Sequence, residues 1–177
     1  MPWKIKKAET VLDTHFVSVT KHEAELPDGS QIPDFYTVTI PDAALIVAIT
    51  STGHVLLKKE YRLACQADVI ECPAGMVEEG EDPLTTAKRE LLEETGYTSD
   101  QWTYLGPTWE STSKLTNTMH LFLAEGCTKH STQHLDTNER IDVFSVPLKK
   151  AVSMVMSGQI NANSTAHAIL KVDRRFN

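Results

Sequence analysis

The chain is short of the features that mark several large functional classes. It has three cysteines in 177 residues, Cys65, Cys72 and Cys127, with no C-x-x-C pair and one left over from any pairing. A disulfide framework is therefore not expected, and a reducing cytoplasm is the expected location. The opening MPWKIKKAET lacks the long apolar core of a signal peptide. The apolar run Ala43–Ile49 is far too short to cross a bilayer, so no membrane partner is expected. There are no repeats, no low-complexity tract and no Pro/Ser linker, which points to one globular unit overall. Neither a G-x-S-x-G elbow nor a Walker loop is present. Positive charge is scarce too: Lys and Arg number 17 against 24 Asp and Glu, a net charge of -7. That balance argues against a nucleic-acid partner. An acidic protein that handles phosphates must also neutralise two sets of negative charge, and a divalent cation is the usual means.

The chain does carry clear element signals. Residues 1–40 alternate in strand fashion, as in Phe16-Val17-Ser18-Val19, around a Leu26-Pro27-Asp28-Gly29 turn. Phe35–Ile40 and Ala43–Ile49 read as strands either side of Pro41-Asp42, the second apolar enough for burial on both faces. Thr52-Gly53 turns the chain into His54–Lys58, giving a hairpin. Gln101–Leu105, Met119–Ala124 and Ile141–Val146 are further strands, and two helices close the chain near Leu148–Ser157 and Ser164–Arg174. Without regular βαβ alternation, the expected class is α/β with a mixed sheet sandwiched between helices. The expected division is an N-terminal antiparallel strand region, 1–40, and a main domain, 41–177.

One further helix carries the chemistry. Asp82-Pro83 reads as an N-cap with proline at the first helical position, and Gly96 as a left-handed cap after Thr95. At about 100° per residue, Leu84, Ala87 and Leu91 form a stripe expected to be buried. Glu90, Glu93 and Glu94 share the opposite side, at spacings where like charges destabilise a helix by a few tenths of a kcal/mol. An E-x-x-E-E helix is usually a solvated acidic face. Here the context points elsewhere. Gly75 lies just upstream in a Pro73-Ala74-Gly75 turn, which follows the strand-like Val69–Cys72. Glu81 marks the helix entry, and Arg89 stands one turn from Glu93. A hard cation such as Mg²⁺ wants several oxygen ligands, which clustered glutamates supply, and a bound cation can clamp phosphates.

Gly75 through Tyr97 resembles the Nudix box: a glycine, five residues, a glutamate, seven residues, then R-E-U-x-E-E-x-G-U with U bulky and apolar. Every specified position is filled, by Gly75, Glu81, Arg89, Glu90, Leu91, Glu93, Glu94, Gly96 and Tyr97. At average residue usage the chance of this is on the order of 10⁻¹⁰ per start site. The resemblance implies a Nudix fold and metal-dependent hydrolysis of a nucleoside diphosphate linked to another group. It implies Mg²⁺, with Mn²⁺ able to substitute, held by Glu90, Glu94 and the backbone carbonyl of Ala74. Glu93 would be a further ligand, directly or through water. Arg89 would hold the glutamates, Gly75 would keep the loop tight, and Glu81 and Gly96 would be structural.

The resemblance extends beyond the box, over roughly residues 25–170. Leu26-Pro27-Asp28-Gly29, Glu60-Tyr61-Arg62, Glu71-Cys72-Pro73-Ala74-Gly75, His120-Leu121-Phe122-Leu123-Ala124 and Val146-Pro147-Leu148 are similar to stretches of ADP-ribose pyrophosphatases. In that branch the N-terminal strands pair with a second subunit, so a homodimer is implied. Arg62 and Glu71 match substrate-contacting positions, although each equally fits a structural ion pair. Phe35 and Tyr36 are aromatics that either stack on a base or fill a core. Asp136-Thr137-Asn138-Glu139-Arg140-Ile141 stands where the branch has a mobile acidic loop. That makes Glu139 the candidate base, with Asp136 in reserve and Glu90 or Glu93 the alternatives inside the box.

The branch carries a proline about sixteen residues after the box, whereas Glu110-Ser111-Thr112-Ser113-Lys114 has none. GDP-mannose or another nucleotide sugar therefore stands open beside ADP-ribose. A catalytically silent, nucleotide-sensing module is the rival class, although such modules lose box glutamates and this chain keeps them all. His130-x-x-x-His134 has helical metal spacing in a polar setting, and Cys72 lacks a nearby basic activator, so a zinc site and a thiol nucleophile are set aside.

Overall fold

The protein is described by a computed structural model covering residues 2–176, the side chain of Phe176 excepted. Two compact units form. One comprises the chain up to Asp42 together with Trp109–Thr118, the other Ala43–Thr108 with the rest of the chain from Met119.

The first unit is an antiparallel meander of β1 (Lys4–Asp13), β2 (Ser18–Glu25) and β3 (Gln31–Thr39), in that order. Leu26–Ser30 closes the second hairpin. The Asp28 carboxylate accepts the Ser30 N–H at 3.0 Å, and Gly29 takes the left-handed conformation at φ 88° that favours glycine. The Trp109–Thr118 segment docks along β3, Val38 N–H donating to Lys114 O at 2.8 Å and Thr116 N–H to Val38 O at 3.1 Å. Phe35 receives the edge of Trp3 and carries the Lys114 ammonium 4.4 Å from its ring centre. Every residue of β1 is exposed, and Ala24 is the sole fully buried apolar residue among the described residues of β1–β3.

The second unit is built on an eight-stranded mixed sheet. Its strands are β4 (Ala43–Thr50), β5 (His54–Arg62), β6 (Ala67–Glu71), β7 (Ala74–Met76), β8 (Tyr97–Thr98), β9 (Gln101–Thr108), β10 (Met119–Lys129) and β11 (Ile141–Pro147). The main path runs β11-β5-β4-β10-β8, with β6 on β5, β7 on β4 and β9 on β10. Among the described residues, the β4–β10 pair is the one parallel pairing of strands in this sheet. Six consecutive residues of β4, Ala44–Ile49, are buried, as a strand covered on both faces must be.

Helix α1 (Pro83–Thr95) covers one face, where Ala87 and Leu91 pack on Ala44, Ile46, Ala48, Leu56 and Phe122. Helices α2 (Leu148–Met156) and α3 (Asn163–Phe176) cover the other. There Met154, Ile169 and Val172 meet Leu45, Val47, Leu57 and Leu123. The expected mixed sheet between helices is present, and the strands run longer than sequence alone set them.

Two local expectations need correction. Pro73-Ala74-Gly75 is not simply a turn, because Ala74–Met76 pairs antiparallel with Ala43–Leu45 as β7. Leu84 is half-buried rather than buried, packed at the edge of the α1 cluster. The first lies beyond reach of propensity. A three-residue strand is made by the neighbour it finds, not by its own composition.

Candidate active site

The site grows out of the start and the inner face of α1. Asp82 caps the helix, its carboxylate accepting the N–H groups of Leu84 and Thr85 at 3.0 and 3.2 Å, and Pro83 follows where no donor is needed. At the other end Gly96, at φ 72°, lies so close to the next segment that a Cβ there would sit 2.3 Å from Ser131 O. Glycine is required at this position for both reasons.

Box residues form one connected cluster around Arg89. Its guanidinium donates to Glu90 Oε1 at 2.6 Å, to Glu93 Oε2 at 3.1 Å and to the carbonyl of Met76 at 3.2 Å. It also reaches both oxygens of Glu81, at 3.3 and 3.1 Å, while Thr86 Oγ1 donates to Glu81 Oε2 at 2.7 Å. Glu81 thereby ties the loop to the helix, and Arg89 clasps three carboxylates with its fixed fork of donors. The Arg89 hydrogen bonds hold the Glu81 carboxyl below its ordinary range.

The three metal-ligand candidates differ in setting. The Glu93 side chain is 41% exposed and Glu90's 13%, whereas Glu94 is buried. Glu90 lies against the loop backbone, and a Cβ on Gly75 would be 1.9 Å from its Oε1. Gly75 is therefore a matter of space. Glu94 Oε2 accepts the Ala74 N–H at 3.0 Å. Burial raises the Glu90 carboxyl above its ordinary value, partly offset by Arg89. It pushes Glu94 up to about 7, partly offset by Lys58. In both, loss of water is the largest cause, and the pull of Arg89 and Lys58 offsets it only in part. Among the described residues no three acidic, histidine or cysteine side chains already converge on one point. The donor set nonetheless suits a hard divalent cation: two carboxylates, with a third nearby, pressed against a loop that exposes no bulk at Gly75.

Sequence reading missed Lys58. It lies on the α1 face of β5, in phase with Leu56, and its ammonium contacts Glu94 Oε1 and stands 3.6 Å from Glu60 Oε2. The signal was there, in a basic residue at an inward-phase position. Arg62, in the same phase after Glu60, donates through Nε and Nη2 to Glu71 Oε2 at 2.9 and 2.7 Å, with Nη1 3.2 Å from Glu60. Arg62 and Glu71 are thus brought together as an ion pair.

Glu139 is on the loop before β11. Its carboxylate accepts the Asp136 N–H at 3.0 Å and, among the described residues, forms no ion pair. The segment ahead of that loop caps α1. Lys129 Nζ donates to Thr95 O, His130 and Ser131 N–H groups to Gly96 O, His134 N–H to Glu93 O, and Gln133 Nε2 to Glu94 O. His130 and His134 act here through their backbones. Cys72 is buried, with its thiol pushed up to about 12, which excludes it as a nucleophile at neutral pH.

This arrangement of box loop and α1 on a mixed sheet is that of a Nudix hydrolase. The NUDIX domain family model matches residues 39–167, and the chain belongs to that family. It is a Nudix pyrophosphohydrolase. It is 32% identical over 162 residues to the ADP-ribose pyrophosphatase of Bacillus subtilis, covering 91% of this chain and 87% of that protein. To the methanol dehydrogenase activator of Bacillus methanolicus it is 32% identical over 167 residues, covering 94% and 90%. It is 29% identical over 136 residues to a GDP-mannose pyrophosphatase of Salmonella paratyphi B, covering 70% and 69%. The crystal structure of an ADP compounds hydrolase superposes with a TM-score of 0.86 at 22% identity, over 98% of this chain and 94% of that one, a likeness of fold.

Proposed function

We propose that the protein hydrolyses the pyrophosphate of ADP-ribose or a similar nucleotide sugar. Glu90, Glu94 and the Ala74 carbonyl would hold Mg²⁺ or Mn²⁺, with Glu93 contributing directly or through water. One observation carries this reading: Glu90 and Glu94 both press against the Ala74–Gly75 backbone, one through space that only glycine leaves and one through a hydrogen bond. A divalent cation bound there neutralises phosphate charge and polarises the phosphorus under attack. Arg89 keeps the carboxylates aimed at that point. Glu139 takes the proton of the attacking water, whose oxygen bonds to phosphorus as the bond to the bridging oxygen breaks. Two phosphate monoesters leave. Arg62, paired with Glu71 yet 40% exposed, is available to a substrate phosphate.

The working protein is a homodimer in the cytoplasm. In support of the dimer, β1 is exposed at every residue and with its flanks displays Trp3, Ile5, Val11, Leu12 and Phe16 to solvent. In support of a reducing compartment, Cys65, Cys72 and Cys127 are all free. GDP-mannose is the second substrate to weigh, because Glu110–Lys114 lacks the proline of the ADP-ribose branch and a GDP-mannose pyrophosphatase is among the relatives. Turnover of ADP-ribose, GDP-mannose, ADP-glucose and NADH with Mg²⁺ or Mn²⁺ tests the assignment. ADP-ribose is expected to give the highest kcat/KM, with no turnover in EDTA. Full activity in chelator would overturn the mechanism.

A further inference from the structure

Lys58 sits mid-strand in β5 with its side chain 1% exposed, on the face where Leu56 packs under α1. A buried ammonium persists only where carboxylates pair with it. Its partners here are Glu94 Oε1, in direct contact, and Glu60 Oε2 at 3.6 Å. The remaining oxygen of Glu94 is taken by the Ala74 N–H. Both oxygens of this carboxylate are therefore engaged before any divalent cation arrives, one of them by a positive charge. In so poorly solvated a place, two cations on one carboxylate oxygen repel strongly.

We propose that Lys58 is a positioning residue that acts as an internal counter-cation: it holds Glu94 in the metal-free enzyme and competes with the divalent cation for Glu94 Oε1. The inference rests on Glu94 being a metal ligand, as proposed above. On metal binding the ammonium gives up Oε1 and keeps Glu60. Glu60 also lies 3.2 Å from Arg62, which links metal occupancy to the pair formed by Arg62 and Glu71. An ordinary structural ion pair makes the opposite prediction, since its loss would disorder Glu94 and weaken metal binding.

The test is Mn²⁺ titration of the metal-free full-length protein at pH 8, following free Mn²⁺ by its electron paramagnetic resonance signal. Lys58→Met should bind Mn²⁺ about tenfold more tightly than the parent, because a nearby positive charge is gone. Lys58→Arg, which keeps the charge, should stay within about threefold of the parent. In EDTA the melting temperature of Lys58→Met should fall, and Mn²⁺ should raise it by more than it raises the parent's. Should the methionine variant fail to fold, Lys58→Gln removes the same charge while retaining a hydrogen-bond donor. Equal or weaker Mn²⁺ binding in the neutral variants overturns the proposal while leaving Glu94 as a ligand. A parent protein that binds no Mn²⁺ overturns both.

Discussion

The side-chain amide of Gln133 donates to the backbone carbonyl of Glu94 at 2.7 Å, and the same nitrogen reaches Ile141 O at 3.2 Å. One side chain thus fastens the exit of the Glu139 loop to the end of the helix that carries the box. Glu139→Gln is expected to lower kcat by roughly 10²–10⁴, the usual contribution of a general base, with KM little changed. Gln133→Ala should lower kcat about tenfold by loosening the loop, while Mn²⁺ affinity stays near that of the parent. Steady-state kinetics with a parallel Mn²⁺ titration separates these effects. If Glu139→Gln is nearly silent and Asp136→Asn severe, the base is Asp136. If neither matters, it lies within the box.

Gly75→Ala probes the closest approach in the site. The added methyl would occupy the place of Glu90 Oε1, 1.9 Å from where Cβ must go, so the carboxylate has to swing away. The backbone there needs no left-handed conformation, and the strain falls on one flexible side chain. We expect kcat to fall at least about 10²-fold, the cost of misplacing a catalytic element by an ångström or so. Mn²⁺ binding should weaken as well. Wild-type turnover in this variant would remove Glu90 from the metal centre.

Glu81 gives a pH signature. Hydrogen bonds from Arg89 hold its carboxyl below the ordinary 4.5, so the folded state favours the charged form. Its contribution to stability is present in full above that value and is lost as pH falls through the lowered one. Glu81→Gln should therefore melt lower than the parent at pH 7, by roughly 2–4 °C, the shift about 1 kcal/mol causes in a chain of this size. The gap should close towards pH 3. A gap that holds or widens in acid would show that Glu81 is not acting through its charge.

The exposed face of β1 predicts assembly. Replacing Ile5 and Leu12 together by glutamate places two charges among the exposed Trp3, Val11 and Phe16. Light scattering should show a dimer for the parent and a monomer for the double variant. A monomeric, fully active parent would refute the dimer.

Much of the fold is legible in the chain because its signals are local. Asp82-Pro83 and Gly96 mark both ends of α1 through capping chemistry that needs only the backbone. The apolar run Ala43–Ile49 announces a strand covered on two sides before any neighbour is known. The spacing of Arg89, Glu90, Glu93 and Glu94 puts those side chains within reach of one another on any helix, and the box pattern around them names the family.

Other features depend on which segments meet, and that was decided in three dimensions. Ala74–Met76 is a strand only because β4 offers it an edge. The three glutamates look equivalent in sequence, but packing buries Glu94 beside Lys58 and leaves the Glu93 side chain 41% exposed. Lys58 and Glu94 are 36 residues apart, and Gln133 lies 39 beyond Glu94. No periodicity spans such distances. The sequence by itself determined where the helix begins, where it ends and which acids line it. Only the tertiary structure decided which of those acids loses its water, because desolvation depends on what packs against a group and not on its neighbours along the chain.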